Sequence, residues 1–163
     1  MRRHANGFTL LEVLVVVTLV AILGSAIALS IGARGDRELE TGAERILAAF
    51  NHAAEAAVTS GRAYGFYVTP AGVEMLVYDG EAWQDAPAGS LGATTTLEAP
   101  YALRGDGVYA IANRVPPAPQ MLFLPDGEQH YAGVAVVNTV SGEAWAIEPA
   151  AAGRYTLARV ELR

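Results

Sequence analysis

One carboxylate stands inside the most apolar stretch of the chain. From Phe8 to Ala33 the single ionisable side chain is Glu12. A carboxylate costs roughly 2.5–3.5 kcal/mol at the centre of an inserted helix and less towards its end. An opposite charge in the same low-dielectric setting offsets that cost. Glu12 is therefore a candidate for meeting a cation, not for turnover. The other residue types that do chemistry are sparse. His52 and His130 are the two histidines beyond His4, too few for a histidine-based metal site. Asp126 and Glu128 flank a turn, and Asp79, Glu81 and Asp85 form an acidic stretch. Either group offers oxygen ligands for weak Ca²⁺ binding, but solvated turn acids are the commoner case. Tyr64, Tyr67, Tyr78 and Trp83 would make a sugar platform only on one exposed face; as core and cross-strand pairs they need no ligand.

No Gly-x-Ser-x-Gly elbow, His-Glu-x-x-His pair, phosphate-binding Gly-Lys loop or dinucleotide fingerprint is present. Without cysteine, thiol catalysis, disulfides and zinc ribbons are excluded. The expectation is a protein with no catalytic residue, metal or cofactor. Its 11 basic residues, all arginine, face 17 acidic ones for a net charge of −6. That balance argues against broad nucleic-acid binding. The hydrophobic fraction, 52%, excludes a disordered chain. The length of 163 residues suffices for one domain with a core.

The elements that must position Glu12 begin with the apolar run itself. Val13–Ala33 carries no charge. As a helix this run is about 30 Å long, the thickness of a bilayer's hydrocarbon core. In lipid a single segment satisfies its backbone only as a helix, so the β-branched valines do not argue against one. Thr9 and Thr18 can bond back to helix carbonyls. Arg2 and Arg3 on the short N-terminal side place that end in the cytoplasm and the rest outside. Three readings share this segment: a secretory signal cut near Ala26-Ile27-Ala28, leaving Leu29 first, a plain membrane anchor, or a processed leader that keeps its helix. Neither of the first two needs Glu12.

Gly7-Phe8-Thr9-Leu10-Leu11-Glu12, behind a basic leader and ahead of the apolar run, resembles the prepilin cleavage motif of type IV pilins and type II secretion pseudopilins. The resemblance implies cleavage between Gly7 and Phe8 by an inner-membrane prepilin peptidase and N-methylation of Phe8. It also implies that Glu12 meets the terminal amine of a neighbouring subunit and so sets assembly register.

Beyond the run, Gly32-Ala33-Arg34-Gly35-Asp36 predicts a bend or loosened turn. Leu39, Ala43, Ile46, Leu47, Phe50, Ala54, Ala57 and Val58 then recur at steps of three and four, an amphipathic helix ending near Ser60 at Gly61. From Ala63 the pattern becomes short runs between turns: Tyr64–Thr69, Val73–Tyr78, a return strand from Ala82-Trp83 after Asp79-Gly80, Thr94–Leu97, Val108–Ala112, Met121–Leu124, Gly133–Val137, Ala144–Ile147 and Tyr155–Leu162. One long helix followed by strands reads as α+β, with a β-sandwich-like globular domain. The expected organisation is a leader at 1–7, a transmembrane and assembly helix at 8–33, its amphipathic continuation at 34–61 and a periplasmic β-rich domain at 62–163.

Within that domain Phe123-Leu124-Pro125-Asp126-Gly127 resembles the F-x-P-(D/N)-G turn of the GspH/FimT group of minor pseudopilins and pilins. Gly153-Arg154-Tyr155 is similar to the group's C-terminal Gly-Arg element. The resemblance implies a pilin-like fold and a non-enzymatic minor pseudopilin of a type II secretion system. Such a subunit sits single-pass in the inner membrane with its globular domain in the periplasm. It would lie at or near the pseudopilus tip, beside other minor pseudopilins and the major pseudopilin, and help push folded proteins across the outer membrane. Two alternatives stand: a FimT-like minor type IV pilin in pilus assembly or DNA uptake, and a Sec-exported enzyme or carbohydrate-binding module. DNA uptake needs a basic patch, for which Arg154, Arg159 and Arg163 are the candidates, with Glu161 among them.

Overall fold

The computed structural model describes residues 10–87, 89–105, 119–130 and 133–161, with the backbone alone for 24–34. Helix α1 spans Leu10–Ser60. The expected loosened turn at Gly32–Asp36 is not formed, since helix continues through these residues. A helix-interior glycine costs about 1 kcal/mol, and each residue added to an existing helix gains a backbone bond, so two glycines between long helical flanks are carried.

The chain divides into two compact units after Arg37. In the first, the large apolar side chains from Leu10 to Leu23 are exposed. Among the described residues, no helix is long and apolar enough to cross a membrane. Residues 24–33 of the charge-free run lie outside those whose side chains are described.

The second unit, Glu38–Arg163, seats the end of α1 against two antiparallel sheets. The first sheet contains β1 (Tyr64–Thr69), β2 (Gly72–Tyr78), β3 (Trp83–Asp85), β4 (Thr94–Thr96), β6 (Met121–Phe123) and β7 (Gln129–His130), in the order β3-β2-β1-β6-β7 with β4 also on β2. The second contains β5 (Tyr101–Gly105), β8 (Val134–Asn138), β9 (Glu143–Pro149) and β10 (Tyr155–Glu161), in the order β10-β9-β8-β5. The architecture is α+β, as the grouping of elements predicts. Strand positions agree closely for β1 and β2. The Asp79-Gly80 turn is a longer loop, 79–82, closed by Asp79 N–H to Ala82 O at 3.1 Å. The sequence pattern does not predict β5 or β7, and the Val108–Ala112 strand falls outside the described residues.

Leu39, Ala43, Ile46, Phe50, Ala53 and Ala57 alternate steps of four and three, the spacing that keeps one stripe of a helix facing inward. All six are buried with Phe66, Val68, Met121 and Phe123 of the first sheet and Val134, Val136, Ile147 and Tyr155 of the second. Each large side chain so buried contributes about 1.5–3 kcal/mol. The expected stripe is corrected on one side: Leu47 and Ala54 are half-buried and Val58 is 57% exposed, while Ala49 and Ala53 are buried. The stripe turns because the loop before β4 lies on the helix. Gly92, at φ 77°, approaches Ala49 so closely that a Cβ there would lie 2.6 Å from the Ala49 Cβ.

Candidate functional site

The two short motifs of the second unit, one ending at Gly127 and the other starting at Gly153, are separated in sequence by β7, β8 and β9 and meet in space. Phe123 and Tyr155 bring them together, with ring centroids 5.9 Å apart, and Phe50 of α1 packs on both at 6.3 and 5.8 Å. Phe66 completes the cluster, 4.9 Å from Phe50 and 5.8 Å from Phe123. The tilted and edge-on arrangements are those the ring quadrupole favours. After Phe123 the chain reverses at Pro125-Asp126-Gly127. Asp126 Oδ1 accepts Glu128 N–H at 2.9 Å, Leu124 N–H donates to Glu128 O at 2.9 Å, and Gly127 stands at φ 87°. The turn delivers Gln129, whose Nε2 donates to Gly153 O at 2.8 Å. Gly153 is left-handed at φ 70°, and so, without being glycine, is Ala152 at φ 60°.

Asn51 ties this junction to the helix. Its Oδ1 accepts Tyr155 N–H at 2.9 Å and its Nδ2 donates to Tyr155 O at 3.3 Å. One side-chain amide thus takes the place of a neighbouring strand at the first residue of β10. Neither Asn51 nor Gln129 is evident as a site residue from sequence. The available signal is an asparagine, a poor helix former, inside an alanine-rich helix. Beside the junction a groove of about 660 Å³ is lined by residues that include His52, Glu55, Val58, Leu91, Gly127 and Arg154.

The remaining candidates do not converge on chemistry. His130 Nε2 lies 3.4 Å from Glu128 Oε1 on open surface. Asp79 Oδ1 accepts the N–H groups of Ala82 at 2.8 Å and Glu81 at 2.9 Å. Those two backbone bonds, Ala82's first, hold its carboxyl below the usual aspartate range. Among the described residues no three His, Asp or Glu side chains gather as a metal-ligand set, and no buried side-chain nitrogen or oxygen lacks a hydrogen-bond partner. Tyr67 is buried and Tyr64 packs on the core, while Tyr78 and Trp83 pair at 5.4 Å, so the four rings share no exposed platform. Glu12 lies in the first turn of α1, exposed between exposed Leu11 and Val13. Thr18 Oγ1 bonds back to Leu14 O at 2.8 Å. Gly7, Phe8 and Thr9 lie outside the described residues.

A long helix that leads into a domain of two antiparallel sheets, joined to it through an aromatic cluster and the Asn51 amide, is a pilin-like fold. Residues 2–32 match the family model described as the prokaryotic N-terminal methylation motif, and residues 42–157 match that described as type II transport protein GspH. The chain belongs to the GspH family. It is 45% identical over 78 residues to type II secretion system protein H of Aeromonas hydrophila, a match covering 47% of this chain and 43% of that protein. With type II secretion system protein H of Pseudomonas aeruginosa it is 35% identical over 78 residues, or 47% and 45% of the two chains. The match thus spans less than half the length of either relative. Two solved structures of the minor pseudopilin EpsH from the Type 2 Secretion System of Vibrio cholerae share the fold. One has a TM-score of 0.57 at 19% identity over 76% of this chain and 95% of that one. The other has 0.55 at 21% identity over 77% and 94%.

Proposed function

We propose that this chain is a minor pseudopilin, a structural subunit of a type II secretion pseudopilus. The observation that carries the reading is one chain holding both the methylation motif, at residues 2–32, and the GspH match, at residues 42–157. In this reading prepilin peptidase cuts after Gly7 and methylates Phe8. Loss of Arg2 and Arg3 leaves nine basic against 17 acidic side chains, net −8. The apolar helix stays in the inner membrane, single-pass, with the β-rich domain in the periplasm. Glu12 pairs with the terminal ammonium of an adjacent pseudopilin. A carboxylate without a counter-charge is penalised in lipid, so subunits docked in register are favoured over those that are not. The β-domain contributes contacts to other minor pseudopilins and to the major one. The protein works by assembly and helps drive folded cargo outward, without turnover.

N-terminal sequencing and mass spectrometry of the protein recovered from membranes test the processing. A methylated Phe8 terminus is expected; a soluble product beginning at Leu29 would replace the proposal with export and release. For Glu12→Ala the expected outcome is a normally folded β-domain with lost incorporation into the filament. Normal incorporation would remove Glu12 from the register role. Salt-sensitive DNA binding by the purified chain would favour a pilus role in DNA uptake instead.

A further inference from the structure

The turn between β8 and β9 carries Val140, at 84% the most exposed large apolar side chain described in the second unit. A single surface valine needs no explanation; the build of this turn does. From Thr139 to Glu143 every N–H is paired. Thr139 donates to Pro100 O at 2.9 Å, Val140 and Ser141 to Asn138 Oδ1 at 2.9 and 3.2 Å, Gly142 to Asn138 O at 2.9 Å and Glu143 to Ser141 Oγ at 3.3 Å. Thr139 Oγ1 also donates to Pro100 O, at 2.8 Å. No side chain from Asn138 to Gly142 is charged. The turn is thus held in one shape with its donors met, and it presents an apolar side chain outward. Those are the conditions for entering a water-poor layer, where an unmet N–H or a charge is costly.

The turn also lies at one particular end of the domain. Asn51 of α1 bonds Tyr155 at the start of β10. Strands β10 and β8 both pair antiparallel with β9, with Leu157 and Val134 each opposite Ile147, so β8 starts near the level of Asn51. It ends at Asn138, opposite Tyr101, whose hydroxyl donates to Glu38 Oε2 at 3.2 Å. Strand β8 and α1 therefore run in opposite senses, and β8 enters its turn at the Glu38 end. The charge-free run ends at Ala33, five residues before Glu38. Five residues extend about 18 Å at full stretch and about 8 Å as helix. The headgroup layer of a bilayer is itself about 5–8 Å deep on each face.

We propose that the β8–β9 turn is a lipid contact: in the unassembled subunit Val140 enters the headgroup boundary of the bilayer that holds α1, and steadies the domain on the membrane. This rests on the membrane-anchored reading above. The partner is a bilayer surface as such, because the turn offers no charge to select one headgroup over another. Interfacial segments seat their apolar side chains about 5–10 Å into this boundary, a depth that the short link from Ala33 brings within reach. One valine binds weakly by itself. Tethering through α1 makes the contact intramolecular, so a weak gain suffices. The same weakness lets the domain leave the surface when the subunit joins a filament.

The chain has no cysteine, so single cysteines carry a fluorophore to chosen sites. The full chain is placed in vesicles of zwitterionic phosphatidylcholine that include a lipid bearing a nitroxide on its upper acyl chain. It is labelled in turn at Ser141→Cys, at Val17→Cys in the apolar run and at Leu91→Cys. Leu91 is 62% exposed and adjoins Gly92, which lies against Ala49, eleven residues further along α1 than Glu38. The labels at 17 and 141 should lose emission to the nitroxide, and the label at 91 should keep it. Adding Val140→Asp should cut the quenching at 141 at least about threefold, since a charge replaces an apolar group at the boundary. The unfolding temperature should not change, because the side chain is exposed. Quenching at 17 without quenching at 141, equal quenching at 141 and 91, or indifference to Val140→Asp would overturn the proposal. Absence of quenching at 17 would overturn the anchored reading, and the proposal with it.

Discussion

Replacing Asn51 by alanine sets two physical effects of opposite sign against each other. Alanine is the better helix former by about 0.6 kcal/mol, so local propensity alone predicts a more stable protein. The tertiary structure predicts the reverse. Asn51 satisfies both backbone groups of Tyr155, a residue 5% exposed, at 2.9 and 3.3 Å. Two ordinary hydrogen bonds contribute about 1 kcal/mol each, and a buried N–H left unpaired costs about 1–3 kcal/mol. After the propensity gain, a net loss of about 1.5 kcal/mol remains, a fall of about 5–8 °C in unfolding midpoint for a domain of this size. Asn51→Asp keeps the acceptor for Tyr155 N–H but turns a carboxylate to Tyr155 O, and should lose at least as much. Thermal unfolding of the full chain in detergent, followed by circular dichroism and by the fluorescence of Trp145, which packs on the core, measures this. A midpoint for Asn51→Ala equal to or above that of the parent would refute the view that this amide closes the junction between helix and sheet.

Other substitutions probe the same unit. Ala152→Gly should raise the unfolding midpoint, because Ala152 sits at φ 60° and ψ 33°, a conformation that costs a non-glycine residue about 1–2 kcal/mol; denaturant titration with an unchanged slope checks it. Gly92→Ala should be destabilising by more than about 1 kcal/mol, the value of a strained backbone alone, since φ is 77° and the new Cβ would lie 2.6 Å from that of Ala49. The same titration measures it, and a neutral result would mean that the loop does not rest on α1. Asp79 is held ionised by the N–H groups of Ala82 and Glu81, so its folded pKa lies below its unfolded one. The stability it adds is present above the unfolded value and lost as pH falls through the folded one. Asp79→Asn should therefore show a smaller loss of unfolding temperature than the parent as pH falls from neutral into the acid range where aspartates protonate, read by thermal scans across that range.

Much of the molecule was legible before any fold was known, and the reasons are local. The short apolar runs at Tyr64–Thr69 and Val73–Tyr78, parted by Pro70-Ala71-Gly72, place β1 and β2 within a residue. Gly61 marks the end of α1, at φ 67°. Strand β5 is not legible because Tyr-Ala-Leu-Arg-Gly carries weak alternation; it is a strand through its register with the distant β8, from Gly105↔Val134 to Tyr101↔Asn138. Strand β7 is very short and exists through Leu122 and Phe123 of β6. The glycines at 32 and 35 read as a break because propensity is a weak prior over a few residues, and helical flanks overrode it.

By itself the sequence determined the apolar segment with its lone Glu12, the change from helical to strand period near Ala63, and two turns whose glycines need left-handed backbone. These depend on neighbours along the chain, which composition and spacing record. Tertiary structure decided that Phe123 and Tyr155 meet over Phe50, that Val58 faces out while Ala49 is covered, and that Asn51 stands in for a strand beside β10. Each of those depends on contacts between segments far apart in the chain, Phe50 and Tyr155 the furthest among them. Such pairs are chosen by packing in three dimensions and leave no periodic trace along the chain.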